Sequence, residues 1–302
     1  MTKIRSSNDS MIDDRRSAGG GGRSGGFGFP TGRGGGGGFP PMRAGGGILG
    51  LLLLIAIVVL PRVLGGNDSG DDLVSTGSQS ADQADGTCSS DLEQVLCGAT
   101  IDVQEYWRRE LPVAFGTQYQ DTKTTFFSGA TTTACGEASS DTGPFYCPLD
   151  GRVYLDLDFL VALEDQLVGR SSDLAEQYIV AHEYGHHVQN LLGTNDQVRQ
   201  AQQNDPTRAN QYSVALELQA DCFAGAWVGD AASAGQLDSA SEIQEALDAA
   251  AGVGDDRIQQ QSQGRVDPDS WTHGSAEQRQ TWFMRGYDSL DPATCTTFDE
   301  VL

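Results

Sequence analysis

The sequence predicts an α+β domain in which two strand-like stretches precede a mostly helical C-terminal part. Three observations carry this. Two β-rich stretches, Thr124 to Phe127 and Arg152 to Leu157, precede a series of helix-periodic segments. Capping signals bracket those segments, and the composition changes abruptly near Cys88, where a Gly- and Ser-rich chain gives way to one with regular apolar positions.

The elements follow in order. Ser90 with Glu93 forms a capping box that opens a short helix, and Val103, Tyr106, Trp107, Leu111 and Val113 predict a second helix ending near Pro112. In the stretch from Arg152, Val153, Leu155 and Leu157 alternate with Tyr154, Asp156 and Asp158, the pattern of a strand with one wet face. A helix of about five turns has Asp173 as N-cap, Glu176 as its box partner and Gly193 as its stop. Further helices are expected from Ala209 to Val228, after Ser239 with Glu242, and after Ser275 with Gln278.

Residues 1–44 are dominated by Gly and predict a disordered cytoplasmic arm, with too few apolar groups to offset the entropy of ordering. Seven basic residues against three acidic ones make the arm +4, so a chain of net charge −23 leaves −27 on the remainder. That excludes a nucleic-acid-binding surface and points to a strongly anionic globular part. Residues 45–64, with the apolar run from Ile48 to Leu60, predict a transmembrane anchor; twenty helical residues reach roughly 30 Å. Basic residues upstream place the N-terminus in the cytoplasm and the domain outside. Residues 65–87 read as a flexible linker, and residues 88–302 as the folded domain.

All six cysteines lie on the expected outer side, which suggests disulfides. Fifteen pairings are possible; the short separations favour Cys88 with Cys97 and Cys135 with Cys147, leaving Cys222 with Cys295.

Three of the four histidines crowd into His182-Glu183-Tyr184-Gly185-His186-His187. Residues four apart share a helix face, so His182 and His186 can converge on one Zn²⁺ while Glu183 faces the water to be activated. A catalytic zinc takes a third protein ligand. The extended motif that supplies a third histidine is excluded by Gln189 and Leu192, and Glu217, on an otherwise apolar helix where a lone carboxylate would be costly, fills the role. Asp221 lies one turn on, placed to accept a hydrogen bond from the far ring nitrogen of a ligand histidine. His273 or Arg279, beside the last helix start, is a candidate for stabilising an oxyanion, with a capping role as the rival reading. His187 is off the ligand face, and Tyr178, Tyr184 and Cys222 read as packing or disulfide residues.

With these residues in place the chain resembles the bacterial neutral zinc metallopeptidase family. The likeness rests on Cys135-Gly136, on Gly143 to Pro148 with Val153 to Asp156, and on the His182 to His187 stretch. It continues through Glu217 to Trp227, Gly254-Asp255-Asp256, and His273 to Arg279. The resemblance implies a zincin-like, membrane-anchored α+β domain with its small sheet packed on the His182–His187 helix and with peptidase activity, and it does not imply a particular substrate; one Zn²⁺ per chain and a peptide or protein substrate are expected. That substrate is expected to add a strand beside Val153 to Leu157. Two other classes stay open: an envelope interaction protein with a structural zinc, and an amidase acting on a cell-wall crosslink.

Overall fold

A computed structural model of the chain describes residues 3–16, 86–167, 173–237 and 240–301. The expected membrane span at 45–64 and nearly all of the expected linker lie outside the described residues. Among the described residues, no helix is long and apolar enough to cross a membrane.

The reading of residues 1–44 as a disordered arm does not hold for residues 3–16. Strand β1 (Ile12–Asp14) pairs in parallel with β2 (Thr124–Phe127), Ile12 opposite Thr124 and Asp14 opposite Phe126. Ile4 and Ile12 are buried in the main core. The Gly-rich average of residues 1–44 conceals a short stretch with its own apolar and ionic anchors.

The capping box at Ser90 opens helix α1 (Asp91–Phe115), which absorbs both helices expected there. Pro112 does not end it, because in the last turn its missing N–H costs only one bond. The stop is Gly116, whose φ of +69° is the left-handed conformation that favours glycine.

The main sheet has the order β1-β2-β6-β5, with β6 (Arg152–Asp156) parallel to β2 and antiparallel to β5 (Phe145–Cys147). β3 (Ala130–Thr133) and β4 (Gly136–Ser139) form a separate hairpin between β2 and β5. Two expectations for β6 fail here. It has no wet face: Tyr154 stacks on Phe145 with ring centroids 4.9 Å apart, in a small second core with Phe127 and Cys147. Nor is it a sheet edge, since β2 and β5 flank it. It ends at Asp156, whose carboxylate accepts the Asp158 and Phe159 amides and so starts helix α2 (Leu157–Leu167).

The remaining chain is helical: α3 (Asp173–Leu191), α4 (Thr194–Asn204), α5 (Ala209–Ser233), α6 (Ala240–Gly252), α7 (Asp255–Gln263), α8 (Ala276–Ser289) and α9 (Thr297–Val301). Asp173 is itself helical rather than the cap of α3. The molecule is therefore α+β. Backbones of α5 and α8 touch, since a Cβ added at Gly225 would fall 1.9 Å from the Phe283 carbonyl oxygen. Gly185 lets α3 pack tightly on α5, an added Cβ lying 3.0 Å from Ala220 Cα. These approaches hold α3, α5 and α8 together around one point. The disulfides are Cys88–Cys97, Cys135–Cys147 and Cys222–Cys295, the pairing the separations favoured.

Candidate metal centre

His182 and His186 sit one turn apart on α3 and face Glu217 on α5, and one donor atom from each of the three lies within 4.8 Å of the others. His182 Nε2 is 3.2 Å from one Glu217 oxygen, and His186 Nε2 is 3.5 Å from the other. Two donors each about 2.0–2.1 Å from a tetrahedral Zn²⁺ lie about 3.3 Å apart, so the spacing fits that ion. The ring orientations fit as well. His182 turns its Nδ1 to Asp221 at 2.8 Å and His186 turns its Nδ1 to Gln189 Oε1 at 2.8 Å, which leaves both Nε2 atoms facing the carboxylate.

Asp221 is wholly buried and holds three groups at once. Its Oδ1 accepts from Tyr178 Oη at 2.5 Å and lies against His182, while Arg279 donates Nε to Oδ2 at 2.7 Å and Nη2 to Oδ1 at 2.9 Å. Burial opposes a charge on His182, but Asp221 and then Glu217 outweigh it and raise its pKa to about 10. Burial likewise pushes Glu217 and Asp221 up. The facing histidines hold Glu217 below the usual carboxylate range, and Arg279 with His182 does the same for Asp221. Glu183 is buried beside them, and burial leaves its carboxyl raised despite His182 and His186.

The family model described as "Putative neutral zinc metallopeptidase" matches residues 2–298. The chain belongs to this family. Among its relatives is the uncharacterized Escherichia coli K12 protein YpfJ, 42% identical over 293 residues, which are 95% of each chain. The uncharacterized Mycobacterium tuberculosis H37Rv protein Rv2575 is 46% identical over 213 residues, 68% of this chain and 69% of its own length. No solved structure matches the chain.

In this member of the metallopeptidase family, His182, His186 and Glu217 lie together, with Asp221 against His182 and Glu183 next to it in the chain. Arg279 does not take the oxyanion position open to it in the sequence, because its guanidinium is committed to Asp221 and Tyr178 Oη. His273 is buried on the loop before α8, close enough to Glu217 to influence its charge. Asp255 holds that loop by accepting the Thr272, His273 and Gly274 amides at 2.7, 2.6 and 3.1 Å, and its other oxygen lies 3.3 Å from His273 Nδ1. The Gly254-Asp255-Asp256 stretch is therefore a loop clamp, with Asp256 accepting the Ala276 amide at 2.7 Å. His187 is a buried bridge, 3.1 Å from Tyr146 Oη and 2.7 Å from the Gln120 carbonyl, so it ties α3 to β5 rather than facing solvent.

Sequence reasoning missed Tyr178 and Gln189. Tyr178 lies four residues before His182 on the same helix face, and that spacing was the available signal. Gln189 lies three residues after His186, and it also donates to the Leu216 carbonyl at 2.7 Å, linking the histidine to the helix that carries Glu217.

Proposed function

We propose that the protein is a zinc-dependent endopeptidase of zincin-like architecture, with His182, His186 and Glu217 holding one Zn²⁺ and Glu183 acting as general base. The observation that carries this is the triad itself: two imidazole nitrogens and a carboxylate at 3.2 and 3.5 Å, on helices locked by Gly185, with a buried glutamate adjoining. A structural zinc has no use for that fourth group, which disfavours a purely interacting protein.

A Zn²⁺ held by His182, His186 and Glu217 would supply a Lewis acid that lowers the pKa of water and polarises the scissile carbonyl. Glu183 takes the proton from the attacking water and delivers it to the nitrogen of the departing amine as the C–N bond breaks. Asp221, supported by Arg279 and Tyr178, fixes the His182 ring and keeps its Nδ1 engaged. His273, oriented by Asp255, donates a hydrogen bond to the oxygen that becomes negative at the scissile carbon. Extended substrate adds to β5, the terminal strand of the sheet, whose Tyr146 contacts His187 and Asn190 of the active-site helix.

The test is product analysis with the full chain in detergent, on a quenched peptide library and on purified cell-wall fragments. Internal peptide cleavage that stops with a chelator and returns with Zn²⁺ is expected. Release from the wall fragments alone would instead make the protein an amidase.

A further inference from the structure

The N-terminal segment does not merely lie near the domain; the domain is shaped to receive it. Helix α1 carries Gly98 where a Cβ would stand 2.6 Å from Arg5 Cα and 2.7 Å from the Ile4 carbonyl oxygen, so this glycine is a seat for the segment's backbone. Gln177, on the same helix as His182, donates to that Ile4 carbonyl at 2.7 Å. Arg5 donates from Nη2 to both carboxylate oxygens of Asp173 at 2.8 and 2.9 Å, and Arg16 pairs with Glu93 of the α1 capping box. The ladder of β1 with β2 completes the dock, and the family match begins at residue 2, so the segment falls inside the shared region.

We propose that residues 3–16 are an integral strand of the domain and that the N-terminus lies on the same side of the membrane as the disulfide-bonded part. A strand hydrogen-bonded into a sheet cannot be divided from it by a bilayer. Arg16 and Gly86 therefore lie on one side, which is incompatible with a cytoplasmic N-terminus and an external domain. The constraint is the same if a second copy supplies the strand. It also changes the meaning of the arm's charge. Arg5 and Arg16 pair with Asp173 and Glu93 of an anionic domain and lie 43 and 32 residues before Ile48, so of the arm's basic residues only Arg33 and Arg43 stand within twenty residues of the apolar run. Basic residues bias topology mainly within about 15–20 residues of a span.

All six cysteines are paired, so a single introduced cysteine is the one free thiol of the chain. Ser7 is exposed, and Val113 on α1 is 81% exposed. The full chain carrying Ser7→Cys or Val113→Cys is expressed in a bacterial host, and spheroplasts are treated with a membrane-impermeant maleimide before and after permeabilisation. Equal labelling of both variants before permeabilisation is expected. Equal labelling only afterwards keeps the same-side assignment and moves the domain inside. Labelling of Val113→Cys before, but of Ser7→Cys only after, overturns the proposal. In the purified full chain, amides of residues 12–14 should resist hydrogen exchange and lose that protection in Gly98→Val. Rapid exchange in the parent would show that the strand is not docked.

Discussion

Asp221→Asn isolates the contribution of one buried charge to both metal binding and stability. The side chain keeps its shape and can still accept from His182 Nδ1, but the carboxylate charge that makes the ring a better ligand is gone. Loss of such a supporting group lowers metal affinity about 10- to 100-fold, or about 1.4–2.7 kcal/mol. The stability effect is larger. Asp221 and Arg279 are both buried, and their two hydrogen bonds at 2.7 and 2.9 Å make them mutual counter-charges. Breaking such a pair from one side leaves the partner unpaired, at about 3–5 kcal/mol. Arg279→Met should cost stability on the same scale yet lower zinc affinity less, because Asp221 still reaches His182. The double variant should lose clearly less than the sum of the two single losses. Stability is read from urea unfolding of the full chain in chelator, and affinity from competition with a chromogenic chelator. Unchanged zinc affinity in Asp221→Asn, or additive stability losses in the double variant, would refute this account of the network.

Three further outcomes follow from the geometry. Gly185→Ala should cost about 1–3 kcal/mol and weaken zinc binding, because the new methyl pushes α3 from Ala220 and parts His186 from Glu217; titration calorimetry and thermal unfolding report the two effects. Replacing Cys222 and Cys295 together by alanine opens a loop closed across a separation of 73 residues and should cost about 4 kcal/mol by chain entropy, measured by chemical denaturation. Docking of residues 3–16 should fail in acid. A hydrogen bond from Arg16 lowers the Asp14 pKa; for Glu93, burial pushes upward but the Ser89 amide and Arg16 outweigh it. Depressed carboxylates stabilise fully above their unfolded values, about 3.9 and 4.3, and lose that contribution as pH falls through the lower folded values. Hydrogen exchange at Ile12–Asp14 should therefore accelerate below about pH 4, before the helices open.

Most of the site was legible in the sequence because its signals are local. The spacing of His182 and His186 survives into the structure since both ride one helix, and Glu217 stood out as a carboxylate on an apolar helix. The capping boxes at Ser90 and Ser275 are made within four residues and form as expected. What the sequence did not show depends on distant partners. Arg279 meets Asp221 only because Gly225 and Gly286 let α5 and α8 touch, and no spacing within either helix encodes that contact. The interior position of β6 follows from β5 returning along it, and β5 is too short for a periodicity of its own. The docked N-terminus was hidden for the opposite reason: its anchors are scattered singly through a Gly-rich stretch, and their partners lie more than seventy residues away.

On the proposed reading, His182, His186 and Glu217 hold a catalytic zinc and Glu183 moves the proton. Zinc content and peptide turnover of the full chain, measured side by side with Glu183→Gln, test it most directly. About one zinc per chain is expected in both proteins, with turnover in the variant reduced at least about 100-fold from that of the parent. Equal turnover by the two proteins, or a parent that takes up no zinc, would contradict it.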